Sequence, residues 1–188
     1  MVPALGFFSS YNVKKSQEDK TMRMISLLTK WVVLLGCIAN PALGKVLAYE
    51  SFNLETSELL IADFEGDTYG NWQVTGEAFG SGPAQGTLPN QMQVSGFKGK
   101  GLVNTFYQGD GTTGTLTSPA IKIERNFINF LIGGGGYADQ TCMNLLADGK
   151  VVRTATGPNT QSGGSEQLDW QSWNVSELAG QSVQIQIV

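Results

Sequence analysis

The feature that most constrains this chain is its punctuation. From about Glu58 onward, short apolar or alternating runs follow one another, separated by glycine, proline and Asx turns. The runs are ELLIADFEG, NWQVTGEAF, MQVSG, GLVNTFY, GTLTSPAIKI, NFINFLI, CMNLLADGKVVRTA and SVQIQIV, rich in threonine, valine, isoleucine and aromatics. Such residues suit a pleated, half-buried surface. Only NVSELAG reads as a helical turn, and it is too short to cover a sheet. Many strands without helices predict an all-β fold, an antiparallel β-sandwich. Two local signals sharpen this. Asp148-Gly149 between apolar runs has the composition of a two-residue hairpin turn, and SVQIQIV puts Val183, Ile185 and Ile187 on one face with glutamines on the other. The alternation runs to Val188, so the sandwich is expected to lack its last strand and the chain to leave an open sheet edge and be prone to aggregate.

Composition removes whole classes of function. The 188 residues, 24 of them glycine, with 15% charged and 41% hydrophobic residues, describe one globular domain with an appendage. A net charge of −4 and no Lys/Arg cluster argue against nucleic acid as a partner. With no histidine, serine and cysteine triads based on imidazole, histidine zinc sites and histidine general acids are excluded. Cys142, alone in the body, reads as a small buried hydrophobe.

The run Gly133–Gly136 raises a nucleotide reading, because Gly133-x-Gly135-x-x-Ala138 satisfies a permissive dinucleotide fingerprint. That reading needs a crossover helix and a distant acidic residue. Only DQTCMNLLA precedes the Asp148-Gly149 turn, so no nucleotide is expected. The glycines are read as a loop between core strands that allows close backbone approach, and such loops also border ligand surfaces.

Upstream, Arg23 and Lys30 precede an apolar run, Trp31 to Ala39, followed by Asn40-Pro41 and small residues at Ala42 and Gly44. This is the layout of a secretory signal, too short for a membrane span. The expected organisation is an extension over 1–21 before the true start at Met22 or Met24, a signal over 22–44, a linker over 45–57 and a sandwich module over 58–188. The product is expected to be secreted or periplasmic. LLGC at Cys37 offers lipid anchoring outside the cell as an alternative.

The phrases GFKGKGLVNTFYQGDGTTGTLTSPAIKIERNFINFLIGGGG, TCMNLLADGKVVRTATGPN, GGSEQLDWQSWNVSELAG and VQIQIV, in this order, carry a resemblance. Over Leu59 to Val188 the chain resembles the N-terminal β-sandwich accessory module of bacterial secreted levanases and other fructan hydrolases, in the invertase and levanase family of glycoside hydrolases. The resemblance implies a jelly-roll, galactose-binding-like sandwich. It also implies fructan or another polysaccharide as partner, and a C-terminal catalytic propeller domain of the same protein. The family's catalytic blocks WMNDPNG, RDP and EC do not occur in this sequence, so no catalytic residue is expected here. Asn174 stands where the family tends to have aspartate, and Tyr137 where a histidine often follows the glycines.

Two sets of side chains are candidates for a site. Asp63 and Glu65, on one face of an expected strand and roughly 6.6 Å apart by rise alone, read first as exposed carboxylates. With Asp67 they form the alternative of a structural calcium site, since hard cations take oxygen ligands. No other cofactor is expected. For carbohydrate, a ring face packs on the apolar face of a sugar while amides and carboxylates bind hydroxyls. Trp72 and one of Trp170 and Trp173 are expected in the core. DWQSW makes Trp170, Asp169 and Gln171 the leading binding group, with Trp173 and Tyr137 as further candidates. The chain therefore reads as a non-catalytic carbohydrate-binding or structural module of an exported fructan-degrading enzyme. The alternative is the N-terminal fragment of a hydrolase acting on levan, inulin or sucrose.

Overall fold

A computed structural model describes residues 59–161 and 163–188. The extension, signal and linker expected over 1–21, 22–44 and 45–57, with Cys37, lie outside the described residues. Among the described residues the fold is all-β apart from one 3-10 turn, Ser176–Leu178, and no helix is long and apolar enough to cross a membrane.

The strands are β1 (Gln73–Gly76), β2 (Gly114–Thr117), β3 (Ile121–Lys122), β4 (Phe127–Ile132), β5 (Met143–Ala147), β6 (Lys150–Ala155), β7 (Asp169–Asn174) and β8 (Ser182–Ile187). One sheet runs β1-β2-β8-β5-β6, with β3 continuing the β2 flank of β8, and β4 pairs β7 in a second sheet. All pairs are antiparallel. Between the sheets, Leu116, Met143, Leu145, Val183, Ile185 and Ile187 pack in one buried cluster with Ile128, Phe130, Ile132 and Trp173. This is the sandwich expected from the alternating runs, each large buried side chain contributing roughly 1.5–3 kcal/mol relative to exposure.

Strand β8 shows why alternation was informative. Val183, Ile185 and Ile187 are buried. On the other face, Gln184 Nε2 donates to the Ser118 carbonyl at 2.9 Å and Gln186 Nε2 to Thr117 Oγ1 at 3.3 Å. Between β2 and β3, Pro119 can donate nothing to the ladder, and Ser118 Oγ accepts from the Ile185 N–H at 2.8 Å. The final run is itself not an edge, since β8 is flanked on both sides, by β2 and β3 and by β5, whereas β4 and β7 each pair on one side only. The outer strands of the larger sheet are β1, four residues long, and β6, which carries Lys150, Arg153 and a register shift opposite Leu145/Leu146. Short, charged and bulged edges resist pairing with other chains. The hairpin at Asp148-Gly149 is present, with φ of 49° and 72°, the positive pair a type I′ turn demands.

Three expected strands do not form as such. ELLIADFEG has no ladder, and Phe64 at its centre adopts φ 55° to bury its ring against Trp72, with centroids 5.2 Å apart. MQVSG and GLVNTFY contribute isolated bridges, Ser95 to Gln167 and Ala84 to Leu102. Side chains take over backbone groups there: Thr87 Oγ1 accepts from the Val94 N–H and Asn104 Oδ1 from the Phe106 N–H, in competition with a regular ladder.

Candidate functional site

The β4–β7 pair carries most of the candidate binding residues, and its register decides which of them act together. The partners are Ile128↔Trp173, Asn129↔Ser172, Phe130↔Gln171, Leu131↔Trp170 and Ile132↔Asp169. Directly opposed residues share a face and successive residues alternate. Trp173 thus points inward with Ile128 and Phe130, and is 7% exposed. It belongs to the core rather than to the surface candidates, a correction that follows from its burial against Ile128 and Phe130. Trp72 is also packed, edge-on to Phe64.

Trp170 faces the other way and is 47% exposed. The expected group of Trp170, Asp169 and Gln171 is therefore divided by the pleat. Asp169 Oδ1 accepts from Gln167 Nε2 at 3.2 Å, and Gln171 Nε2 donates to the Thr156 carbonyl at 3.0 Å. What accompanies Trp170 on the outer face is a different set. Ser172 Oγ donates to Asn129 Oδ1 at 2.6 Å, and Phe127, opposite Asn174 at the far end, is 41% exposed. Two exposed rings stand four strand positions apart, roughly 13 Å by rise, with a hydroxyl–amide pair between them. Leu131, directly opposite Trp170 on the same face, is covered by a second small cluster with Val94, Leu102 and Leu168. Phe127 and Asn129 were missed because NFINFLI reads as a core run until its register with β7 is known. The odd spacing of Trp170 and Trp173 was the available signal that the two tryptophans part company.

Tyr137 is 38% exposed, and its hydroxyl donates to the Thr160 carbonyl at 2.9 Å. It follows the four glycines, whose role is close approach. A Cβ on Gly133 would fall on the Gln167 carbonyl, and one on Gly157 would fall on that of Gly134. Gly136 N–H donates to the Asn159 carbonyl at 2.6 Å and Asn159 N–H to that of Gly134 at 2.9 Å. Backbone partners thus occupy groups that a phosphate cradle would have offered, and a strand rather than a helix comes next.

Two of the three acidic side chains, Asp63 and Glu65, accept from backbone N–H groups. The Glu65 carboxylate accepts from the Lys100 N–H at 2.8 and 3.0 Å and from the Gly101 N–H at 3.1 Å, and Asp63 Oδ1 accepts from the Glu65 N–H at 3.2 Å. The strand expected to align Asp63 and Glu65 is replaced by this turn. Asp67 is exposed, and its carbonyl is closely approached by Gly82. Among the described residues no three His, Cys, Asp or Glu side chains gather as metal ligands. Cys142 is 1% exposed, and burial pushes its thiol pKa up, which suits the hydrophobic role expected of it.

No protein-family model matches the chain, and no solved structure matches it. Among curated proteins it is similar to one from Aspergillus rugulosus that is named as a glycosyl hydrolase, ecdE. The two are 43% identical over 133 residues, which is 69% of this chain and 18% of the relative. The chain thus spans under a fifth of the length of the curated relative it matches, and a glycosyl hydrolase relationship is supported. The relative's name specifies no substrate.

Proposed function

We propose that this chain is a non-catalytic, carbohydrate-binding accessory module of an exported glycoside hydrolase that degrades fructan. The observation that carries the reading is the 43% identity to a stretch amounting to 18% of a protein named as a glycosyl hydrolase. A domain of this size within a much longer hydrolase leaves room for a separate catalytic part. The fructan substrate and a catalytic propeller rest on the resemblance of the phrases from GFKGKGLVN to VQIQIV to levanase modules, and export on the signal-like segment ahead of the sandwich.

On this reading the outer face of β4–β7 is the polysaccharide platform. Trp170 and Phe127 offer ring faces to the apolar sides of sugar units, and Asn129 and Ser172 offer donors and acceptors between them. By analogy with aromatic pairs, each ring contributes about 0.5–1.5 kcal/mol. A millimolar site needs about 4.1 kcal/mol in total. Useful retention then comes from tethering to the catalytic part and from the repeating polymer. Affinity electrophoresis of the chain through gels containing levan or inulin tests this. Retardation on either polymer is expected, and unchanged mobility on both would overturn the binding role.

A further inference from the structure

The last residue of β7 opens the one Asn-x-Ser/Thr triplet in the sequence, Asn174-Val175-Ser176. A triplet of this form, with no proline at its centre, accepts an N-linked glycan when it stands on the surface of an exported chain. The fold presents it in that way. Asn174 and Ser176 are exposed, whereas Val175 between them is fully buried and its N–H donates to the Asn126 carbonyl at 2.8 Å. Arg153 steadies the same turn, its Nη2 donating to the Asn174 carbonyl at 3.2 Å and pairing with Glu177. Asn174 Oδ1 accepts from the Ser176 N–H at 3.0 Å and from Ser176 Oγ at 2.7 Å. The turn therefore uses the oxygen of the Asn174 side chain, which an aspartate would supply equally well. The nitrogen is what distinguishes asparagine here, and it is the atom to which a glycan is joined.

We propose that Asn174 is an N-glycosylation site, used when the chain passes through a eukaryotic secretory compartment. Entry to that compartment rests on the export reading of the segment over 22–44, and the relative from Aspergillus rugulosus belongs to an organism that has one. In the transfer, Asn174 Nδ2 forms a bond to the anomeric carbon of a lipid-pyrophosphate-linked oligosaccharide, and the bond from that carbon to the pyrophosphate oxygen breaks. The lipid pyrophosphate leaves with the bonding pair, and the amide nitrogen gives up one proton. Because Val175 is anchored in the core, transfer precedes the docking of β7, and the folded state has only to leave the product in water. It does so: the register sets Asn174 opposite Phe127 on the outer face of the small sheet, and Phe127 is 41% exposed. Their Cβ atoms stand roughly 4.5–5.5 Å apart, so the first sugar of the glycan lies beside that ring. Trp170, four strand positions and about 13 Å away by rise, stays open to polymer. The glycan thus bounds the platform at its Phe127 end.

Expression of the full chain in a fungal secretory host, followed by mass measurement before and after peptide N-glycosidase digestion, tests the site. Two forms are compared, one with its own leading segment and one with the host's secretory leader ahead of residue 45. Secreted and cell-retained protein are read together, so that a variant that folds poorly is still scored. A single glycan is expected on the peptide that contains Asn174. It should be lost in Asn174→Asp, which keeps the acceptor for both hydrogen bonds of the turn, and in Ser176→Ala, and it should be kept in Ser176→Thr. A glycan on the host-leader form alone would support the site while overturning the export reading of the segment over 22–44. No glycan on either form, or one that survives Asn174→Asp, would overturn the proposal. The readout is mass and not retention on levan or inulin, so failure here is distinct from failure of the platform.

Discussion

Trp173 of β7 lies on Phe130 of β4, ring centroids 4.7 Å apart and planes inclined at 60°. The two are diagonal neighbours on the inner face of the small sheet, so this contact ties that sheet to the core it covers. Trp170, three residues earlier, shares the strand and none of that packing. Trp173→Ala should therefore cost about 3–5 kcal/mol, through lost burial and the cavity left behind. Trp170→Ala should change stability by no more than about 0.5 kcal/mol and still reduce retention on levan or inulin. Urea unfolding and affinity electrophoresis of the two variants separate the roles. A Trp170→Ala protein as unstable as Trp173→Ala would show that both rings are structural.

The glycine run makes a second, sharper demand on sequence. At Gly133 an added methyl meets the Gln167 carbonyl, which belongs to backbone and cannot rotate away. Gly133→Ala should destabilise by about 1–3 kcal/mol or more. Gly111→Ala is the matched control, since nothing lies within 4 Å of its Cβ position and its φ is not positive. Thermal melts should show a drop of several degrees for the first and essentially none for the second. Equal melting temperatures would mean that the close approach at Gly133 relaxes freely.

The contrast between β8 and residues 59–65 shows what could be read from the chain alone. Strict alternation in SVQIQIV was legible because Gln184 and Gln186 found partners on one face and each apolar residue from Val183 to Ile187 the core on the other. ELLIADFEG has similar apolar content, but its backbone leaves the extended region at Phe64, where φ is 55°. Nothing in its composition announces a positive φ at a bulky residue. The site follows the same logic. That Trp170 and Trp173 face opposite ways is a consequence of their odd spacing. Which of them faces water depends on the partner strand, and Phe127 and Asn129 become visible only through that pairing.

Glu65 offers a test of the two roles available to the acidic turn. Its carboxylate is bonded to the amides of Lys100 and Gly101, and a Cβ at Gly101 would fall on the Phe64 carbonyl. Glu65→Gln keeps one acceptor and loses the charge, so a cost of about 0.5–1.5 kcal/mol is expected, independent of calcium. If instead calcium chloride raises the melting temperature of the parent chain and not of Glu65→Gln, the carboxylate is a metal ligand. Differential scanning calorimetry with and without EDTA makes the distinction.

Tyr69 makes the stability of the fold sensitive to alkaline pH. Its ring is 5% exposed, edge-on to Phe79, and its hydroxyl donates to the Phe79 carbonyl at 2.9 Å. Burial pushes its pKa well above the ordinary tyrosine value of about 10. Above that value the unfolded chain releases the phenolic proton while the folded chain retains it. The native state then binds more protons, and stability falls as pH rises. The stabilisation is full below pH of about 10 and is progressively lost from there towards the raised folded pKa. Tyr69→Phe should lose about 0.5–1.5 kcal/mol at neutral pH with the hydrogen bond, and its stability should decline less steeply between about pH 10 and 11. Urea unfolding across that range compares the slopes directly. Parallel alkaline limbs in the two proteins would show that another group sets the alkaline dependence.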